Sequence, residues 1–150
     1  MIKRWLPIAA IVLLCAAGGC ASTTSALNLH LDGKDFNLHQ FLKDHPVPPG
    51  EAKRTDLLAS GPTASIHIVQ IRGAETPHVH AEHDLRVVVV RGRGTMVIRG
   101  KRISAGVGSV FEIRRGVPHF FVSGGSTPAA ALATFSPPYD GKDMVPAPAD

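Results

Sequence analysis

The chain has 150 residues, of which 44% are hydrophobic, 19% charged and 5% aromatic, with a formal net charge of +4. That is room for one domain with a real core of Val, Ile, Leu and Ala, and it is not the composition of a disordered segment. With one Trp, in the leader, and no long basic run, the chain is not expected to bind nucleic acid.

The first twenty residues follow different physics. Lys3 and Arg4 form a short positive region, and Leu6 to Ala17 is apolar apart from Pro7. A run of about twelve residues is too short for the roughly twenty of a spanning helix, so residues 1–19 read as an export signal peptide. The run ends in Ala17-Gly18-Gly19-Cys20, which resembles a bacterial lipoprotein signal in which Cys20 would be acylated and become the mature N-terminus. The departure is Ala17 where Leu is usual, and an ordinary secretory signal or an uncleaved anchor are the alternatives. Each version exports the domain into the bacterial cell envelope, on the periplasmic side or at the outer membrane, and the first anchors it to a membrane by lipid.

Cysteine usage agrees with export. Cys15 lies in the leader and Cys20 would be consumed by lipid, so disulfides, thiolate ligands and a cysteine nucleophile are excluded from the mature chain. Removing the leader takes Lys3 and Arg4 and no acidic residue, so half of the +4 charge belongs to it.

Residues 20–26 read as a tether, and residues 27–150 as the folded domain. Leu27, Leu29 and Leu31 alternate with polar residues, predicting a short half-buried strand closed by Asp32-Gly33. Asp35 is the expected cap of a small helix carrying Phe36, Leu38, Phe41 and Leu42, which stops before Pro46. The proline-rich segment from His45 to Gly50 is a loop.

From here the text is β. Glu51 to Ser60 and Thr63 to Arg72 flank a turn at Gly61-Pro62, and the second run is apolar on both faces. Glycines then punctuate short runs at Val87 to Val90, Thr95 to Arg99, Ser109 to Ile113, His119 to Ser123 and Ala129 to Phe135. Many short strands at this rhythm predict an all-β antiparallel sandwich or barrel. Ser136 to Gly141 is expected to close the domain as an irregular tail.

The chemistry sits in His78-Val79-His80. On a strand, alternate side chains share a face, so His78 and His80 aim their rings into one space. Imidazole is the commonest metal-binding side chain and is ready to coordinate near neutrality. With His119 from a later strand, the pair predicts a metal centre on a β scaffold. His30, His39 and His45 read as surface residues, and His67, alternating with Val69 and Ile71, as a packing residue facing inward. Glu82 and Glu112 are unpaired by spacing, and Arg86 and Arg91 read as strand-face arginines, with contact to an anionic substrate at the barrel mouth as the other option.

Gly73, Pro77-His78-Val79-His80, the strand to Arg91 and Gly92 resemble the first motif of the cupins. Gly108 to His119, a glycine, a short strand, a tight turn at Gly116 and a histidine, resembles the second. The resemblance covers about residues 63–136. It implies a single antiparallel jelly-roll barrel, here with a short N-terminal helix, that binds a divalent transition metal such as Zn, Fe, Mn, Ni or Cu. Carried over, His78, His80 and His119 are the ligands. The family's fourth ligand, a glutamate, falls on Leu85 or on Asp84. If Leu85 faces inward with Val87 and Val89, Asp84 faces out unless a bulge re-aims it. The fourth position is therefore left between Asp84 and His83. Three nitrogens with open positions suit Zn²⁺ or Fe²⁺.

The apolar walls expected from Val87, Val89, Phe121 and the alanines of the last long strand suit a small-molecule ligand. The leading expectation is an exported, lipid-anchored, metal-binding cupin with a small-molecule pocket, acting as a metal-dependent oxygenase or isomerase. The alternative is a non-catalytic metal- or ligand-binding, sensing lipoprotein of the envelope. The resemblance also implies homodimers formed by strand exchange at sheet edges.

Overall fold

The computed structural model describes residues 27–148. The expected leader, Cys20 and tether lie outside the described residues. Among the described residues, no helix is long and apolar enough to cross a membrane.

The chain enters through a hairpin in which β1 (Asn28–Leu31) and β2 (Lys34–Asn37) pair antiparallel. Asp32 and Gly33 connect them with φ of 48° and 71°, the left-handed backbone of the tightest hairpin turns, to which Asp-Gly is well suited. This moves the helix. α1 spans Leu38–Asp44 and is capped by Asn37, whose side chain accepts a hydrogen bond from Gln40 N–H at 2.9 Å. Asp35, the expected cap, is instead a strand residue opposite His30, because Asp-Gly reverses the strand and does not merely end it.

Ten further strands follow: β3 (Lys53–Ser60), β4 (Ser65–Ile71), β5 (His78–His80), β6 (Asp84–Arg91), β7 (Arg93–Ile98), β8 (Lys101–Gly106), β9 (Val110–Ile113), β10 (His119–Ser123), β11 (Ala129–Ser136) and β12 (Met144–Pro146). They form two five-stranded antiparallel sheets, ordered β3-β4-β11-β6-β9 and β12-β5-β10-β7-β8. This is the antiparallel jelly-roll barrel that the cupin resemblance implied, and one of the two forms, sandwich or barrel, that the strand rhythm predicted. β8 and β12 were not anticipated. β8 opens on Lys101 and Arg102 and hides little apolar surface, while β12 is held by pairing to β5 and not by burial.

Two apolar clusters follow from strand parity. In β6, Leu85, Val87 and Val89 are buried while Arg86 between them is exposed. They meet Ile71, Met96, Phe111, Ile113, Phe121, Ala133 and Phe135 inside the barrel. β4 is apolar on both faces because it is covered on both. Ile71 faces the barrel, whereas Ile68, fully buried, packs outside it with Leu38 and Leu42 of α1, Leu58 and Ala130. The helix is thus a lid on the outer face of the β3-β4-β11 wall.

Gly94 in β7 marks where backbone meets backbone. A Cβ there would lie 2.2 Å from the Val122 carbonyl oxygen and 2.5 Å from the Phe121 ring, so only glycine allows β10 to approach and Phe121 to fill the barrel. Gly94→Ala should therefore destabilise the fold by about 1–3 kcal/mol or more, the usual range for overpacking a tight site. Chemical denaturation of variant and parent checks this, and an unchanged midpoint would show that β7 and β10 are less tightly apposed.

Candidate metal centre

β5 is three residues long, His78-Val79-His80, and the alternation places both histidines on the buried side, at 5% and 6% exposure. β10 begins at His119, which lies opposite His78 in the β5–β10 register. Gly116, with φ 74°, forms the turn before it and donates its N–H to the His80 carbonyl at 2.7 Å, tying the turn to β5. The three rings pack with centroids 4.5 to 5.5 Å apart. One ring nitrogen from each of His78, His80 and His119 lies within 4.8 Å of the others.

The other nitrogen of each ring is already engaged. Nδ1 of His78 lies 2.8 Å from the Thr76 carbonyl, Nδ1 of His119 lies 2.9 Å from the Val117 carbonyl, and Nδ1 of His80 lies 3.0 Å from Asp143 Oδ1. These oxygens only accept, so each Nδ1 carries the proton and each Nε2 of a neutral ring presents a lone pair. Among the described residues, the His119 Nε2 is buried with no hydrogen-bond partner. Burial, chiefly, with the neighbouring His78 and His80, lowers His119 from 6.5 to about 4. Burial likewise lowers His80, against the pull of Asp143. Converging imidazole nitrogens, that of His119 buried without a partner among the described residues, fit a borderline divalent cation such as Zn²⁺ or Fe²⁺.

Asp84 is not part of this group. Leu85, Val87 and Val89 face inward, and Asp84 therefore faces out. Its carboxylate takes the Arg115 backbone N–H at 3.0 Å and the Arg114 guanidinium at 3.3 Å. Hydrogen bonds from Arg115, backbone first and then side chain, hold its pKa at about 2 against an ordinary 3.8. His83 does not join the trio either, but it is buried at 4% exposure, and it supports the centre from behind.

That support comes through Asp143, which sequence reasoning missed. Asp143 is 8% exposed; its Oδ1 accepts from His80, and its Oδ2 lies 2.5 Å from His83 Nδ1 and 3.0 Å from the Glu82 backbone N–H. His83 Nε2 lies 3.2 Å from the Pro138 carbonyl. Both neighbours of His83 are acceptors, so both its nitrogens carry protons and the ring faces Asp143 as a cation. Desolvation opposes that charge, but the Asp143 and Pro138 hydrogen bonds lift His83 above 6.5. Desolvation also works against the Asp143 carboxylate, yet bonds from His83, His80 and Glu82 hold it at about 2. The tail is irregular as expected from Pro137 onward, and it runs on through Asp143 as a strap across the site before β12. Tyr139 stacks on Phe135 at 4.4 Å, with its ring edge-on to His80 and His83, and β12 then pairs with β5. No local motif marks Asp143, which stands 63 residues from the ring it orients.

A cavity of about 270 Å³ opens inside the barrel beside the trio. Val87, Met96, Phe121 and Phe135 contribute apolar wall, and Lys53, Glu75 and Tyr139 contribute polar groups. Glu75 is fixed by the Phe121 backbone N–H at 3.1 Å. A hollow of about 300 Å³ on the outer face of β6 and β9 has its charges paired, Arg86 with Glu112 and Asp84 with Arg114. Arg91 bonds Gln70 and the Pro128 carbonyl, so neither arginine considered as a substrate contact lines the barrel cavity. His67 faces inward as a packing residue, bonded to Ser65 Oγ at 2.9 Å and edge-on to Phe135.

The fold and this histidine cluster define a class of small β-barrel proteins, and comparison with known proteins agrees. Residues 65–135 match the cupin domain family, and the chain belongs to the cupin superfamily. An uncharacterized protein of Aquifex aeolicus (strain VF5) is 40% identical over 84 residues, spanning 56% of this chain and 69% of that one. Among solved structures, KdgF from Halomonas sp. is 25% identical with a TM-score of 0.58, over 65% of this chain and 91% of that one. A Streptomyces Pac13 variant with uridine is 15% identical with a TM-score of 0.55, over 65% and 79% of the two chains; Pac13 is described as a nucleoside dehydratase.

Two outcomes follow. Asp143→Asn should leave a folded barrel by circular dichroism but weaken Zn²⁺ binding by roughly 10–100-fold, the usual effect of removing the group that orients a ligand histidine; titration with a metal indicator reads it, and an unchanged affinity would make Asp143 a strap residue only. Asp84→Asn should leave Zn²⁺ binding unchanged and lower Tm slightly at neutral pH. Because the folded pKa of Asp84 is depressed to about 2 from 3.8, its contribution is complete above 3.8 and fades as pH falls through 2. The Tm difference between the parent and Asp84→Asn should narrow across that window.

Proposed function

We propose that the chain is an exported, lipid-anchored cupin that holds a divalent transition metal on His78, His80 and His119 and acts on a small molecule in the adjoining cavity. The observation that carries this is the convergence of three imidazole nitrogens within 4.8 Å while each Nδ1 is engaged elsewhere. When bound, such a metal supplies Lewis-acid polarisation of a substrate oxygen, activation of dioxygen, or a water of lowered pKa. Oxygenase or isomerase chemistry is the reading these functions support best. Pac13, of the same fold, is a nucleoside dehydratase, so a barrel of this architecture can house catalysis.

The chain's own residues have definable tasks in that reading. The strand backbone and Asp143 hold the rings still. Val87, Phe121 and Phe135 keep bulk water from the ligand and strengthen every polar contact beside it. Tyr139 remains a phenol and a hydrogen-bond donor, since desolvation and the carboxylates of Asp143 and Asp140 raise its pKa. Export and anchoring rest on the leader ending at Cys20. One observation favours a binding or sensing lipoprotein without turnover: Glu75, the carboxylate lining the cavity, is engaged by Phe121 N–H and sits beside Lys53.

Elemental analysis of protein purified without a histidine tag is the test. It should find near-stoichiometric transition metal in the parent and in Asp84→Ala. His78→Ala and His119→Ala should lose it while keeping the barrel's circular dichroism. A parent that takes up no Zn²⁺ or Fe²⁺ from excess would end the reading.

A further inference from the structure

We propose that the barrel cavity selects a compact carboxylate, with Lys53 as its counter-charge and an oxygen of the ligand turned toward the histidine trio. This rests on the metal reading above and adds the ligand's charge and size to it.

The starting point is a charge count. Three imidazoles bring no negative charge to a dication, and Asp84 spends its carboxylate on Arg114 and Arg115 outside the barrel. Asp143 stands behind His80 and outside the cavity lining, with its oxygens engaged by His80, His83 and the Glu82 N–H. Among the described residues, the charged side chains lining the cavity other than the trio are Lys53 and Glu75, which offset each other. A dication at the trio would therefore leave the interior positive, between apolar walls that screen it poorly. An anion is what neutralises such a space, whereas a neutral ligand leaves the charge uncompensated.

Lys53 is the group placed to receive the anion. Its ammonium nitrogen is 3.7 Å from Glu75 Oε1, beyond hydrogen-bond length, so its donors remain available. Glu75 is the fixed partner, 13% exposed and held by Phe121, while Lys53 is 39% exposed on a flexible stem. A neighbouring hollow of about 230 Å³ shares Lys53, Glu75, His78 and Met144 with the main cavity, so the ammonium stands where both spaces meet. Size limits the class. At about 270 Å³ the cavity lies at the small end of small-molecule sites. That suits a short or branched acid with an apolar body against Val87, Met96 and Phe121.

The test uses Zn²⁺-loaded protein and isothermal titration with 3-methyl-2-oxobutanoate and its neutral amide. The acid should bind and the amide should bind at least several-fold more weakly. Lys53→Met should weaken the acid by roughly tenfold to a hundredfold, the loss of one charge-assisted hydrogen bond, and leave the amide alone. Glu75→Gln keeps an acceptor for Phe121 N–H and removes the competing charge, so it should tighten the acid. Equal binding of acid and amide, binding of neither, or indifference to Lys53→Met would overturn the proposal. Metal content measured on the same samples separates the two readings, since protein that fails to load Zn²⁺ refutes both, and loaded protein without acid preference refutes this one alone.

Discussion

An imidazole can turn a lone pair inward only if its opposite nitrogen keeps the proton, and that is settled by what the opposite nitrogen touches. At His78 and His119 it is the backbone two residues earlier, Thr76 and Val117. The segment leading into each strand therefore fixes that strand's histidine, with no help from a distant element. His80 differs. Its Nδ1 faces no carbonyl, and the proton is held by Asp143 from the far end of the chain. A trio with converging nitrogens thus depends on the tail closing on the 80–83 turn.

Much of this was legible in the residues, for a physical reason. Strand periodicity of two converts His-x-His into a shared face, and the same parity argument turned Asp84 outward once Leu85, Val87 and Val89 faced in. The two-sided apolar run of β4 pointed to cover on both faces, which α1 supplies on one. Illegible were features made by partners remote in the chain. β12 carries no buried side chain and exists because β5 offers it an edge. Asp143 lies between Lys142 and Met144 with no periodicity to mark it. The misplaced helix cap is a local failure of another kind: Asp32-Gly33 encodes reversal as readily as termination, and only the pairing of Leu29 with Phe36 decides between them.

The buried Asp143–His83 pair raises a question of cost. Two charges taken out of water are rarely a source of net stability, and a well-packed apolar pair often does as well. Their retention makes physical sense if geometry, and not stability, is the gain. Asp143 accepts from two rings and one backbone N–H, which leaves it little freedom to rotate. His83, by taking one oxygen and the Pro138 carbonyl, fixes which oxygen is left for His80.

A barrel with a hollow of about 270 Å³ gives up interior packing that a filled core would have, and the strands around it must be held by something else. The second apolar cluster does this from outside. Leu38 and Leu42 of α1 press on Leu58, Ile68 and Ala130, so the β3-β4-β11 wall is stabilised on the face away from the cavity. The inner face carries both packing and the cavity, while the outer face carries packing alone. β4 and β11 each contribute to both, through alternate residues: Ile68 and Ala130 outward, Ile71 and Ala133 inward. A change in the size of an inward residue can then reshape the cavity while the outer cluster keeps the sheet in place.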